Sequence, residues 1–282
     1  MSSLGTRWGG LAVGVIGLMT VMRSIGVCQG AVIAYQPFNY TRPPTTSSPV
    51  HAKGFAGNWV GGGSANIGKI VPGSLSDPTH TLATKGNSLI PDPSTYGCIS
   101  RFSTAAQSAI NALSTKAKVR TIYYSVLLEP MGALKNAQWM GIVLAYSVPI
   151  HNGSNGLFVG AQGFGNRPKW FVHTNGGPLN KNTSASTAVA PPTAGRTVFI
   201  VIQDIRAKTR RGKDVICLYV NPKPGAVMPA KPEATVKLQL AAGKITNLFI
   251  ADPPNEQKYR IDEFRAGATW ADVTPQSLGR RH

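Results

Sequence analysis

Short apolar runs, each bounded by Gly, Pro, Asn or Ser, recur along most of the chain. "VRTIYYSVLLEP" (Val119 to Pro130) and "WMGIVLAYSV" (Trp139 to Val148) are rich in β-branched and aromatic residues, as strands with buried faces are. "AVIAYQPF" reads as an opening strand and "NGLFVGAQGF" with "KWFVHT" as a hairpin. "RTVFIVIQDI", "DVICLYVNP", "TVKLQLA", "ITNLFIAD" and "YRIDEFRAG" continue the series. The one helical pattern is "STAAQSAINALSTKA", Ser103 to Ala117, with Ser103 or Thr104 placed to cap it. Many short strands and few helices predict an all-β sandwich or barrel. No repeat of fixed period and no break between two cores is visible. One domain is therefore expected over residues 31–275, followed by a basic tail at 276–282.

Composition narrows the setting. Hydrophobic residues make up 42% of the 282, enough for a large core, while charged residues are only 14%. The net charge of +18 favours anionic partners. The basic residues are scattered, and their densest run, "RAKTRRGKD" (Arg206 to Asp214), sits between two strand patterns like a hairpin tip. No specific nucleic-acid contact is expected from such a distribution. At the N-terminus, Arg7 precedes the apolar run Leu11 to Met22, and small residues follow, the order of a secretory signal peptide over 1–30. A cut after Ala34 and an uncleaved anchor are the other readings. The run is short for a membrane span and no later stretch is longer, so a secreted, periplasmic or cell-surface location is expected. Cys28 would leave with the leader. Cys98 and Cys217 remain, either as a disulfide or as two buried thiols.

Catalytic and metal motifs are sparse. "GGSANIGKI" holds G-x-x-x-x-G-K, but Ile70 stands where a phosphate-binding loop needs Ser or Thr. His51, His80, His151, His173 and His282 lack metal-ligand spacing. No cofactor is expected beyond calcium, for which Asp252, Asp262, Asp272 and Asn221 are the candidate ligands. A retaining glycosidase needs two carboxyls about 5 Å apart. Acids at i and i+2 on a strand meet that need, and the chain has no such pair. For stacking on sugars the aromatic candidates are Trp59, Trp139, Trp170, Trp270, Tyr96 and Phe171, each with core packing as the competing role. Trp59 and Trp170 lie beside Gly- or Pro-rich loops and are the better surface candidates.

The closing stretch "IDEFRAGATWADVTP" resembles the end of concanavalin A-like (LamG-like) jelly-roll proteins exported by planctomycetes and related bacteria. "AYQPFNY" (Ala34 to Tyr40), "GNWVGGG" and "LYVNP" (Leu218 to Pro222) match further phrases of that group in the same order. The resemblance implies two antiparallel sheets packed as a jelly roll, with the first and last strands close together. It implies no activity, since the superfamily spans lectins, adhesive modules, glucanases and lyases. The E-x-D-x-x-E strand of its glucanase branch is missing here.

Two functions are expected on this basis: an exported non-catalytic module binding carbohydrate, with anionic glycans favoured by charge, or a polysaccharide-active enzyme. For the enzyme, a lyase is the better fit, drawing on Tyr123, Tyr124 and Tyr146. A structural envelope protein without a ligand is the third reading. Within the closing stretch, strict alternation mixes an acid with apolar residues on each face. Either one acid points inward or the strand bulges. Asp262 or Glu263 is expected to accept bonds from Arg260, Arg265 or turn amides. Trp270 would pack under the last turn and Asp272 would cap it, which makes the stretch a clasp.

Overall fold

The computed structural model describes residues 32–61, 67–92, 97–115, 121–134, 138–146, 156–163, 168–175, 184–187, 189, 194–207, 212–238, 240, 245–251 and 258–277. The expected leader, Tyr96, Asp252, and most of the basic tail lie outside them. In chain order the elements are β1 (Ala34–Gln36), β2 (Phe55–Gly61), β3 (Gly68–Pro72), β4 (Asn87–Pro91), β5 (Cys98–Phe102), α1 (Thr104–Thr115), β6 (Thr121–Pro130), β7 (Trp139–Ala145) and β8 (Gly156–Gln162). Then come β9 (Lys169–Asn175), β10 (Ser184–Ser186), β11 (Val198–Ile205), β12 (Asp214–Val220), β13 (Ala234–Leu238), β14 (Asn247–Ala251), β15 (Tyr259–Gly267) and α2 (Trp270–Val273).

These strands form two antiparallel sheets of a jelly-roll β-sandwich. Sheet 1 runs β13-β12-β11-β6-β15-β4-β3, with β1 also on β15. Sheet 2 runs β10-β9-β8-β7-β14-β5-β2. Period-two alternation sorts the side chains. Ile122, Tyr124, Val126 and Leu128 of β6 enter the core between the sheets, as do Ile200 and Ile202 of β11. Leu127, Phe199 and Val201 face outward from sheet 1 under a second cover that includes Leu75, Leu82, Trp270 and Val273. No helix among the described residues is long and apolar enough to cross a membrane.

β15 carries the two adjacent acids, and it bulges there. Its pairing to β6 shifts between Asp262 and Arg265, and Glu263 adopts φ 55°. The extra residue resets the alternation, so Phe264 enters the core although strict alternation sets it opposite Tyr259 and Ile261. The bulge also falls where the far edge of β15 changes partners, from β4 at Ile261 to β1 at Phe264–Ala266. The acids fill that seam. Asp262 accepts the Leu75 and Glu263 amides at 2.8 and 2.7 Å. Glu263 accepts the Tyr35 hydroxyl at 3.1 Å, the Lys85 amide, and the Arg265 guanidinium. Arg265 also donates to the Ala83 carbonyl and lies 4.8 Å over the Tyr35 ring. The segment between β3 and β4 is thus pinned at several points across the outside of sheet 1.

One buried cation serves two buried acids at this seam, so one acid keeps its proton near neutrality. Burial, and then the Glu263 charge, push Asp262 up to about 9. The folded chain holds that proton up to about pH 9, whereas an unfolded aspartate releases it near pH 4. Stability from this group therefore falls as pH rises through that window. Asp262→Asn carries no such proton, so the wild type's lead in Tm over this variant should shrink between pH 5 and pH 8. A lead that stays constant in thermal melts contradicts the assignment.

The pairing of Cys98 with Cys217 is not made; both are buried thiols. Cys98 faces the core from sheet 2, while Cys217 points outward from sheet 1, so a sheet stands between them.

Candidate functional site

The platform residues expected from the sequence divide by strand parity. Trp59 is 1% exposed, stacks on Phe38 and donates its indole N–H to the Tyr40 hydroxyl at 2.9 Å. It is a core residue and cannot receive a sugar. Trp170 is also fully buried in the core. The next residue, Phe171, points the other way, onto the outer face of sheet 2. Tyr96 lies outside the described residues.

That outer face is built in register. One row runs Ile99, Phe249, Val143, Phe158, His173 and Ser184 across β5, β14, β7, β8, β9 and β10. The next row brings Gly141, Gly160 and Phe171 side by side. Glycine is required beneath the rings. A Cβ on Gly160 would lie 2.8 Å from the Phe158 ring and 2.0 Å from the Met140 carbonyl oxygen. One on Gly97 would lie 2.6 Å from the Phe249 ring. The phenyl groups therefore lie down against the sheet rather than standing off it.

Polar and half-exposed groups border this apolar floor. Trp139 meets Phe158 edge-on at 5.7 Å and stands opposite Gln162, which is also half-buried. His173 packs its ring 4.8 Å from that of Phe158. Its Nδ1 lies 2.8 Å from the Thr174 carbonyl, which only accepts, so Nδ1 carries the proton and Nε2 the lone pair. Burial lowers the His173 pKa, so the ring is neutral at pH 7. Exposed Arg101 and Lys169 stand at opposite margins. Ile99, Val143, Phe158, Phe171 and Phe249 are themselves buried, none more than 8% exposed, so they form a packed layer beneath the surface. What the surface offers is one indole, one amide, one imidazole acceptor and flanking cations.

The other candidates turn out to be structural. Tyr124 is fully buried, and Tyr146 lies close to the same buried ion pair, in which Arg206 meets Asp204 at 2.7 Å off the N–H axis. Burial raises both tyrosines far above their ordinary value and Asp204 to about 6. A phenol held that firmly in its neutral form is a poor base. Tyr123 lies outside sheet 1, where its hydroxyl accepts from Gln203 and its ring meets Trp270 edge-on at 6.1 Å. This internal Asp204–Arg206 pair went unnoticed in the sequence, whose only signal was an acid at an inward position of β11.

Asp262 is filled with N–H donors as described, and Asp272 accepts the Ala268 and Thr269 amides in a capping box with Thr269. These are contacts of structural carboxylates. Asn221 is likewise engaged, accepting the Phe199 amide at 2.9 Å. Among the described residues no group of three His, Cys, Asp or Glu side chains is placed to hold a metal.

No protein-family model matches the chain, and no curated protein sequence does. Solved structures give loose likenesses. The T. cruzi calreticulin globular domain aligns with 86% of this chain and 91% of its own, at 11% identity and a TM-score of 0.46. A carbohydrate esterase from the Shiga toxin-encoding bacteriophage phi24B aligns with 84% and 98%, at 10% identity and 0.46. An endo-beta-1,4-glucuronan lyase from the fungus Trichoderma reesei aligns with 77% and 97%, at 10% identity and 0.40. Likenesses at this level say nothing of what this chain binds or does.

Proposed function

We propose that this chain is an exported, non-catalytic carbohydrate-binding module that holds glycans on the outer face of sheet 2. One observation carries the reading: half-exposed Trp139, Gln162 and His173 share one sheet face, held there by a buried, register-built aromatic layer. A sugar ring presents a C–H face that can rest on the Trp139 indole and hydroxyls that need donors and acceptors such as Gln162 and His173. Export rests on the N-terminal leader pattern, and the cationic margins and net charge favour anionic glycans.

Catalysis by β-elimination would need a base, a proton donor and a cation at the substrate carboxylate, all at one sugar. His173 is the described group suited to be the base, yet its row neighbours are Phe158 and Ser184. Of the two cations on this face, Lys169 is four residues along the same strand, about 13 Å away, and Arg101 is four strands away, about 19 Å at ordinary strand spacing. The spread of these groups suits a chain lying across the sheet.

Calorimetry of the full chain against neutral (cello-, xylo-, laminari-) and carboxylated (oligogalacturonate, oligoalginate) sugars at low salt tests the proposal. Saturable heat with at least one class is expected, with no growth of unsaturated-uronate absorbance. No binding to any of them overturns the ligand; product absorbance overturns the non-catalytic part.

A further inference from the structure

A second surface lies on the other sheet. At the end of β3 and β4 an open groove of about 510 Å³ is lined by Pro43, Gly68, Lys69, Ile90, Pro91, Asp92, Met131 and Lys258. That volume is within the range in which small ligands are held. Lys69 stands directly opposite Ile90 across the β3–β4 pair, so both project from the same face. Lys258 comes from the far side, where its carbonyl accepts the Met131 amide and sets that residue beside it. The two lysines are exposed, and Met131 is 46% exposed, a large apolar side chain left at the surface.

The chemistry has two parts. Pro43, Ile90, Pro91 and Met131 supply the apolar part of the lining, and Lys69 and Lys258 supply the charge. Among the described lining residues Asp92 is the one acid beside two lysines, and exposed Arg42 stands next to Pro43. An apolar ring face with carboxylates at its edge complements both parts at once. We propose that this groove is a second glycan site, specific for uronate-containing oligosaccharides, with Lys69 and Lys258 taking the carboxylates and Ile90 and Met131 the sugar face. It does not depend on the outer face of sheet 2, which lies on the opposite side of the sandwich.

The test uses a labelled oligogalacturonate, with a neutral cello-oligosaccharide as control, and measures affinity by fluorescence anisotropy at low and high salt. Both lysines are solvent-exposed, and circular dichroism of Lys69→Gln/Lys258→Gln checks that the fold is kept. The expected result is about a tenfold loss of affinity for the oligogalacturonate in that variant, a steep salt dependence in the wild type, and no change for the neutral sugar. Met131→Ser should weaken the same binding with little change in its salt dependence. Unchanged oligogalacturonate affinity in the lysine variant overturns the groove. So does a complete loss of binding in Trp139→Ala/His173→Ala, which would leave the sheet 2 face as the sole site. The converse, loss in the lysine variant with sheet 2 variants unaffected, upholds the groove while removing the reading proposed above.

Discussion

Arg265→Ala should lose about 3–5 kcal/mol of stability, because it strips the cation from a carboxylate with no access to water. Glu263 is 0% exposed and Arg265 is 4% exposed, so solvent cannot screen what the substitution leaves behind. The same guanidinium also satisfies the Ala83 carbonyl and covers the Tyr35 ring. For a chain of this size the loss amounts to about 6–20 °C in Tm. Arg265→Lys should recover only part of it, since an ammonium keeps the charge but lacks the planar fork. Arg260→Ala gives the contrast. Its pair with Glu129, at 3.2 Å, is partly open to water on both sides and should be worth about 1 kcal/mol. Equal Tm shifts for Arg260→Ala and Arg265→Ala in thermal melts would refute the reading of Arg265 as a water-excluded anchor of the seam.

The second large effect belongs to binding. Trp139→Ala/His173→Ala removes the half-exposed indole and the imidazole acceptor while leaving the buried Val143, Phe249 and glycine floor in place. Affinity for whichever glycan the wild type holds best on this face should fall by more than about tenfold, the cost of one stacking contact and one hydrogen bond together. The pH dependence follows from the histidine. Protonation converts Nε2 from acceptor to donor, so affinity should drop on the acid side of the ordinary histidine range. His173→Gln should flatten that profile. An acid-side drop that persists in the glutamine variant assigns the effect elsewhere.

Much of the architecture was legible in the chain, and the failures have physical causes. β6 and β11 carry long runs of β-branched and aromatic residues, and their strand character survives any pairing. The parity of β9 did not show. Trp170, Phe171 and Val172 are all apolar, so nothing in "KWFVHT" says which side faces the core until β8 and β10 fix the register. Trp59 misled for a related reason: glycines around it suggested a loop, but Gly57 and Gly61 belong to a strand whose one indole turns inward to Tyr40. Strict alternation failed at β15 by a single residue, and that bulge is what lets both acids lie on one side of the strand. Cys98 and Cys217 carry no mark of the sheet they occupy. The groove draws its lining from segments spread between Pro43 and Lys258, which only the folded chain brings together.

The central claim is that the outer face of sheet 2 is where this protein meets a glycan. Amide and indole chemical-shift mapping of the full chain, titrated with the best-binding oligosaccharide of the calorimetric panel, addresses it most directly. Shifts should concentrate at Trp139, Phe158, Gln162, Phe171 and His173, with the Trp139 indole N–H among the largest. Shifts confined to Lys69, Ile90, Met131 and Lys258, or spread evenly over the sandwich, would contradict it.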